Sequence, residues 1–307
     1  MKRWLWPLIV LATLIFYWTP LFDDNATIQW DDVDVHYSAQ KFFEQSVHAG
    51  KLPQWTSFEF SGMPFLADPQ TAAWYPLHWP FFLMGITPRA IECELALHAF
   101  LALAGAFLLS RRLFGHTGAA LATAIFYAWG GFFAGHSSHL GMFETAALLP
   151  WLLWSALIAI DTGAFRAMLL TGLIGGALVL AGHFQTALYS FFALALFLAA
   201  RASKRWTRYV AILASTAGIA FLISAIQVLP GLELASQSVR AGADYHGATN
   251  SPLHLGALAT LFDPNFYGAI YGQYKGPADI TQFDFYGGLL LVPLALAGFA
   301  RKKAIMM

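Results

Sequence analysis

Three carboxylates stand close together near the start of the chain, in the run 30–34, which reads Trp-Asp-Asp-Val-Asp. One aspartate would be enough to cap the helix that the following residues predict. Three carboxylates in four positions repel one another unless a cation, a metal ion or a basic substrate group lies among them. Helix capping and a catalytic or metal-binding role for Asp31, Asp32 and Asp34 therefore both stay open at this point.

A second set of polar residues interrupts otherwise apolar sequence. His183 and Gln185 lie between two apolar segments. A polar side chain at membrane depth is costly and marks a functional site by default. A hydrogen bond between two helices is the simpler role for the pair.

Histidines also cluster further upstream, where His136, His139 and Glu144 form a predicted polar cluster at a turn. The spacing of the two histidines could place two metal ligands on one helical face, although solvated histidines at the edge of a bundle are the simpler explanation. A divalent metal is thus possible, and its identity is unknown. His98 and Glu94 lie one helical turn apart and are predicted to pair with each other.

The amino-acid composition indicates what kind of structural elements hold these groups in position. Of 307 residues, 58% are hydrophobic and only 11% are charged, and the mean hydropathy is +0.57. Soluble domains carry about 25% charged residues. The composition therefore excludes a soluble enzyme, a disordered segment and a nucleic-acid-binding protein. The single cysteine, Cys93, cannot form an internal disulfide.

Long apolar runs predict an all-α polytopic membrane protein with about eight transmembrane helices in a single transmembrane domain, residues 1–307. Roughly 20 apolar residues are needed to span the hydrocarbon. The first run follows Lys2-Arg3 but has no small-x-small cleavage site, which indicates a retained anchor. The predicted spans are Trp4–Phe22, Arg89–Ser110, Thr117–Gly135, Phe143–Ile160, Ala167–Ala181, Thr186–Ala200, Tyr209–Leu229 and Phe285–Ala300.

The charges predict an orientation. Cytoplasmic loops are enriched in Lys and Arg, and most of the 17 basic residues fall on one side if the N-terminus is cytoplasmic. Every acidic residue except Asp161 then lies at or beyond the outer edge. Both termini are accordingly predicted to be cytoplasmic.

Two predicted outer loops, 23–86 and 231–284, are much longer than a simple connection needs. Both are rich in aromatic residues, which does not suit disorder. Within the first loop, apolar residues recur at helical spacing between residues 35 and 47 and predict an amphipathic helix at the outer membrane surface. The loops are therefore interpreted as ordered caps over the bundle.

After this amphipathic segment come L-P-Q-W at 52–55, G-M-P-F-L-A-D-P-Q at 62–70 and W-Y-P at 74–76. In order and spacing these pieces resemble the first outer loop of the YfhO-type bacterial membrane proteins, in the GT-C superfamily of glycosyltransferases. The residues that carry this resemblance are Trp55, Gly62, Pro64, Asp68, Pro69, Gln70, Tyr75 and Pro76.

The resemblance continues downstream at 136–140, 149–151, 181–189, 227–230, 238–240, 262–264 and 286–289, and so spans nearly the whole chain. Proteins of that family are much longer, whereas this sequence stops soon after Arg301-Lys302-Lys303. We therefore expect a truncated form or a fragment.

The resemblance implies transfer of a sugar from a polyprenyl-phosphate carrier to a cell-envelope acceptor, at the outer face of the bacterial cytoplasmic membrane. It also implies a general base at Asp32 or Asp31, with Asp34 the weaker match. A carboxylate with a reference pKa of about 4 is ionised at neutral pH and can take the acceptor's proton. Arg240, with His183 and Gln185, is then expected at the donor phosphate, unless Arg240 binds any anionic headgroup at the interface.

Two other functions stay open, a lipid-carrier or solute transporter or flippase, and a non-catalytic GT-C-like membrane partner. A transporter predicts a polar path across the bilayer midplane. If the chain is a transferase, we expect Asp31 or Asp32 to face a cavity that is open to both water and bilayer, with Arg240 within about 10 Å.

Overall fold

The structure is a computed structural model that describes residues 4–28, 30–202, 205–242, 254–268, 273–277, 279–283 and 285–306. Of these, the side chains of Ala202, Arg240, Gln282 and 301–306 are not described. The fold is all-helical, and the described residues contain no β-strand. This agrees with the predicted fold class.

Twelve α-helices are numbered here in chain order over the described residues. They are α1 Leu5–Phe16, α2 Trp18–Phe22, α3 Ser38–His48, α4 Trp79–Met84, α5 Pro88–Phe114, α6 Thr117–Ala128, α7 Gly131–Gly135, α8 Leu140–Thr162, α9 Phe165–Leu180, α10 Phe184–Ala202, α11 Trp206–Ser236 and α12 Leu291–Met306.

Within the described residues, five helical segments are long and apolar enough to cross a membrane: α5, α6 together with α7, α8, α10 and α11. Three shorter apolar helices, in α1, α9 and α12, lie where the other three spans are predicted. Length and composition therefore establish a membrane-protein character for the chain, with five segments long enough to span by themselves.

The centre of the bundle is formed by α5 and α8, which are the most deeply buried of the long helices. Helix α5 is capped by Thr87, whose side chain accepts a 3.1 Å hydrogen bond from the amide of Ala90, and Pro88 occupies its first turn. It ends at Gly115, whose φ of 71° suits a left-handed C-cap. The outer helices α10 and α11 expose many large apolar side chains, as lipid-facing helices do.

Glycines let two helices of the bundle approach closely. A Cβ atom on Gly172 of α9 would lie 2.6 Å from Ile219 of α11, and one on Gly176 would lie 2.9 Å from Ile223. Such small-residue stripes are the usual means of close helix contact in membranes.

The first loop holds α3 and α4, together with a π-helical turn at Asp32–Tyr37 that leads directly into α3. The amphipathic helix predicted here is thus present as α3, with Ala39, Gln40, Phe43 and Glu44 on its buried side. The second loop begins later than predicted, because α11 continues through Pro230 to Ser236.

Candidate functional site

The π-helical turn separates the three neighbouring carboxylates. The side chain of Asp31 is 52% exposed, and Asp34 is also exposed. Asp32 is only 2% exposed, and its Oδ1 atom has no hydrogen-bond partner. A single turn of π-helix often marks a functional position, and here it directs only one of the three acids into the interior.

The buried carboxyl of Asp32 lies in an environment that favours its neutral form. Burial raises its pKa from 3.8 to about 7, and the charges of Glu92 and Glu144 act in the same direction. A pKa near the working pH is typical of groups that exchange protons in enzymes.

The same turn docks onto the start of α8. Nε2 of His36 accepts a 3.1 Å hydrogen bond from the amide of Leu140. Burial, followed by the charges of His78 and His139, lowers the pKa of His36 to about 3, so the ring is neutral and can accept this bond. The contact brings Asp31 to α8, where its Oδ2 atom lies 3.8 Å from Nε2 of His139.

His139 is one of three neighbouring histidines, His136, His139 and His183, which are called the histidine group below. Its Nδ1 atom lies 3.4 Å from Nδ1 of His136. Burial, followed by the charges of His139 and His183, lowers the pKa of His136 to about 4. Asp279 in the second loop interacts electrostatically with His136 and His139, so both predicted loops contribute to this region.

His183 directly precedes α10 and lines a cavity of about 550 Å³. Its Nδ1 atom accepts hydrogen bonds from the amide of Thr186 (3.2 Å) and from its hydroxyl (2.7 Å). Burial lowers the pKa of His183, so Nε2 carries the proton of the neutral ring. Gln185 also lines the cavity, and its amide donates to the hydroxyl of Tyr189 at 2.9 Å.

The remaining walls of this cavity are largely apolar and come from α6, α7, α8, α10 and the segment that leads into α12. They include Phe126, Tyr127, Phe132, Phe133, Met142, Ala146, Leu149, Phe285 and Leu291. An apolar cleft with a few polar groups at one part of its wall is the usual form of a lipid or small-molecule site.

The predicted grouping of Glu144 with His136 and His139 is wrong. Five residues along a helix correspond to a rotation of about 140°, so Glu144 faces the bundle interior and not the histidine turn. There its Oε1 atom lies 2.8 Å from Nε2 of His78, a residue of the first loop. Both side chains are 1% exposed or less.

Glu94 of α5 completes this buried group, since its Oε2 atom lies 3.5 Å from Nε2 of His78. The ligand atoms of His78, Glu94 and Glu144 all lie within 4.8 Å of one another and could hold a metal ion. The group of three potential metal ligands found in the described residues thus does not include the predicted pair of histidines, and a metal at that pair stays a prediction.

The predicted pairing of His98 with Glu94 takes a different form. Nδ1 of His98 donates a 2.7 Å bond to the main-chain carbonyl of Glu94, and Nε2 lies 2.8 Å from the hydroxyl of Tyr75. Burial raises the pKa of Tyr75, so its hydroxyl keeps the proton and donates it to Nε2. His98 Nδ1 also lies 3.4 Å from Oε1 of Glu144 and orients that carboxylate.

The family-like residues of the first loop mostly support the backbone. A Cβ atom on Gly62, whose φ is +117°, would lie 2.6 Å from the ring of Trp55. The side chain of Asp68 accepts a 2.9 Å bond from the amide of Gln70, and the carbonyl of Pro69 packs against Gly182. This part of the loop therefore lies against the turn that carries His183.

A second anchor comes from α11, where the Gln227 amide donates to the carbonyls of Leu66 and Ala67 at 3.2 Å. Pro64 precedes the short 3₁₀ turn that offers these carbonyls. Of the later motif residues, Tyr75 is fully buried and Pro76 is exposed.

Arg240 lies in a 3₁₀ turn after α11, but its side chain is outside the described part of the structure. Its predicted distance from the aspartates therefore stays a prediction. Comparisons with protein-family profiles, curated proteins and solved structures give no significant match to this chain.

Sequence reasoning missed His78, His36 and Gln40. His78 stands in an aromatic stretch with no recognisable spacing to another ligand. Its partners come from α5 and α8, far away along the chain, so no local pattern could have indicated it. Gln40 offered a weak signal, as a polar residue on the face of the amphipathic helix that is buried in the structure.

Proposed function

We propose that the chain is a membrane glycosyltransferase that moves a sugar from a polyprenyl-phosphate carrier to a cell-envelope acceptor. The observation that carries this proposal is the contact between Asp31 and His139. It joins an accessible carboxylate to the histidine group beside the cavity that His183 and Gln185 line. A candidate base and candidate phosphate ligands thus meet across distant parts of the sequence.

The proposed topology has eight spans, with both termini in the cytoplasm of a bacterial cell and the site on the outer face of its cytoplasmic membrane. It is supported by a separation of charges along the bundle. Asp161, at the far end of α8 from Glu144, forms ion pairs with Arg112 (3.0 Å) and Arg205 (3.2 Å). This basic end suits the cytoplasmic side, and it lies opposite the histidine group.

The cavity suits a lipid-linked donor. The apolar wall, including Phe126, Met142 and Leu149, matches a prenyl chain. In this proposal Nε2–H of His183 and the side-chain amide of Gln185 are two of the donors on the cavity wall that bind phosphate oxygens. In this proposal Arg240 adds a guanidinium, which binds phosphate in a bidentate manner.

In the proposed reaction an acceptor hydroxyl oxygen attacks the anomeric carbon of the donor sugar. The bond between that carbon and the phosphate oxygen breaks, and the polyprenyl phosphate leaves with the electron pair. The acceptor's proton passes to the carboxylate of Asp31, which His139 orients. The donors around the phosphate stabilise the negative charge that develops on the leaving group.

Asp31 is preferred to Asp32 as the base because a catalytic group must touch its substrate. Asp31 is about half exposed, whereas Asp32 is buried. In this scheme Asp32 is the buried acid of the π-helical turn, and neither it nor Asp34 takes part in the reaction.

The test is transfer of label from radiolabelled undecaprenyl-phosphate hexoses, in proteoliposomes that contain the protein and bacterial envelope glycans as acceptors. General-base catalysis contributes about 10²–10⁴-fold, so Asp31→Asn is expected to lower the rate by at least about 100-fold. Asp24→Asn, at an outer carboxylate whose side chain is fully exposed, is the matched control and should transfer at the wild-type rate.

Binding separates donor recognition from chemistry. Asp31→Asn should still bind undecaprenyl phosphate in native mass spectrometry, whereas His183→Ala should bind it at least about tenfold more weakly. Wild-type rates in Asp31→Asn and in the Asp31→Asn/Asp32→Asn double variant would exclude the proposed base. Equal binding of undecaprenyl phosphate and undecaprenol would exclude the phosphate site.

A further inference from the structure

We propose that His78, Glu94 and Glu144 bind a divalent transition-metal ion, with Zn²⁺ as the best fit, inside the outer end of the bundle. The three residues come from the first loop, α5 and α8. This site is separate from the cavity beside His183, and the inference does not rest on sugar transfer.

The charge of the group points to a cation. The side chains of Glu94 and Glu144 are both 0% exposed. Among the described residues, no Lys or Arg forms an ion pair with either carboxylate, and the only charged-group contacts come from His78 and His98. Ionised carboxylates that have only imidazoles as cationic partners are costly to bury. One divalent cation would balance the two negative charges completely.

Unused lone pairs give a second, independent indication. Oε1 of Glu94 is fully buried and has no hydrogen-bond partner, while Oε2 accepts a 2.7 Å bond from the Gln40 amide. The carbonyl oxygen Oε1 of Gln40 is also buried without a partner. Buried acceptors are rarely left without a hydrogen bond. A carboxylate or amide oxygen that accepts no hydrogen bond has its lone pairs free to bind a metal ion.

The distances suit a small tetrahedral ion. With metal–ligand bonds of about 2.0–2.1 Å, neighbouring ligand atoms are about 3.3 Å apart. Nε2 of His78 lies 2.8 Å from Oε1 of Glu144 and 3.5 Å from Oε2 of Glu94, on either side of that value. One imidazole and two carboxylates favour Zn²⁺ or a similar transition metal over Mg²⁺ or Ca²⁺.

The surrounding residues resemble the support that metal ligands require. His98 of α5 lies 3.4 Å from Oε1 of Glu144 on α8, so it links the two ligand-bearing helices, and its Nδ1 atom donates to the carbonyl of Glu94 one turn earlier in α5. Tyr75 in turn fixes the ring of His98. Such outer contacts orient the ligands and are needed for full affinity. On binding, the ion takes the place of the proton that Nε2 of His78 shares with Glu144.

The experiment uses the full chain, purified in detergent, stripped with a chelator and then titrated with Zn²⁺ and with Co²⁺. We expect one ion per chain by elemental analysis, and a visible cobalt spectrum of tetrahedral type. Loss of a supporting contact alone costs about 10–100-fold in affinity. Glu94→Gln and Glu144→Gln should therefore bind at least about 100-fold more weakly.

Glu92→Gln is the matched control, because Glu92 is a buried carboxylate of α5 that does not belong to the three proposed ligands. This variant should bind Zn²⁺ as tightly as wild type does. Zn²⁺ should also raise the midpoint of thermal unfolding of wild type and Glu92→Gln, but not that of Glu94→Gln. If a variant does not fold, X-ray absorption of the wild-type cobalt form decides, since it must show one nitrogen and two carboxylate ligands. Less than 0.1 ion per chain in wild type, or equal affinity in Glu94→Gln, would overturn the proposal.

Discussion

The side-chain amide of Gln40 donates a 2.7 Å hydrogen bond to the carboxylate of Glu94, and so links the amphipathic helix α3 to the central helix α5. Both side chains are buried. A helix that the sequence places at the membrane surface is thereby anchored through a polar contact inside the protein. Its polar residues thus do not all face water.

Replacement of Gln40 by Leu should destabilise the protein, because the carboxylate of Glu94 loses its donor. Leaving a buried polar group without its hydrogen-bond partner costs about 1–3 kcal/mol, and we expect a loss of about 2 kcal/mol. The measurement is detergent-induced unfolding of metal-free protein, followed by Trp fluorescence. Gln45→Leu, at an exposed position of the same helix, should change the unfolding free energy by less than about 0.5 kcal/mol. Equal losses in the two variants would contradict the role given to this contact.

Gly172→Ala tests the close approach of α9 and α11. The new Cβ atom would lie 2.6 Å from Ile219, whose contacting atom is the rigidly held Cβ. Overpacking of this kind costs about 1–3 kcal/mol. At Gly218 of α11 an added Cβ meets nothing within 4 Å, so Gly218→Ala should stabilise its helix by about 0.5–1 kcal/mol. If both alanine variants unfold at the same detergent fraction as wild type, the two helices are not packed as described.

Asp32 should make the folded state less stable as the pH rises. Its pKa is about 7 in the folded protein and 3.8 without the fold, so between pH 4 and pH 7 the folded state holds a proton that the unfolded state has lost. Asp32→Asn should therefore become more stable relative to wild type across this range, by up to about 4 kcal/mol. The comparison is unfolding of chelator-treated wild type and variant at several pH values. Asp34→Asn is the exposed control, and a difference that does not depend on pH would refute the buried environment of Asp32.

His36 should contribute in the opposite direction. Its pKa is lowered from 6.5 to about 3 in the folded protein, so between these two values the unfolded state binds a proton that the folded state does not bind. Stability is lost as the pH falls through this window, and protonation would also break the bond from the amide of Leu140. His36→Gln should reduce the acid sensitivity of unfolding, measured between pH 7 and pH 4. His254→Gln, at an exposed position of the second loop, is the control.

The helical architecture could be predicted from the sequence because its cause is local. Runs of apolar residues long enough to span a membrane mark where α5, α8 and α11 lie, and the spacing of Phe43 and its apolar neighbours marks α3. The ends of helices are less certain from sequence. Pro230 suggests the end of a helix, yet α11 continues for six residues beyond it, to Ser236.

The candidate site was predictable only in part. The sequence pointed to Asp31, His139 and His183 as polar residues in apolar surroundings, but it could not show that they come together. Their meeting depends on how the π-helical turn docks onto α8.

By itself, then, the sequence determined that this chain is built of apolar helices, because composition and periodicity act over a few residues. Only the tertiary structure decided that Asp32 is buried while Asp31 is accessible, and that Glu144 lies beside His78 and Glu94. The physical reason is that burial and pairing of a side chain depend on contacts between helices, which no local pattern encodes.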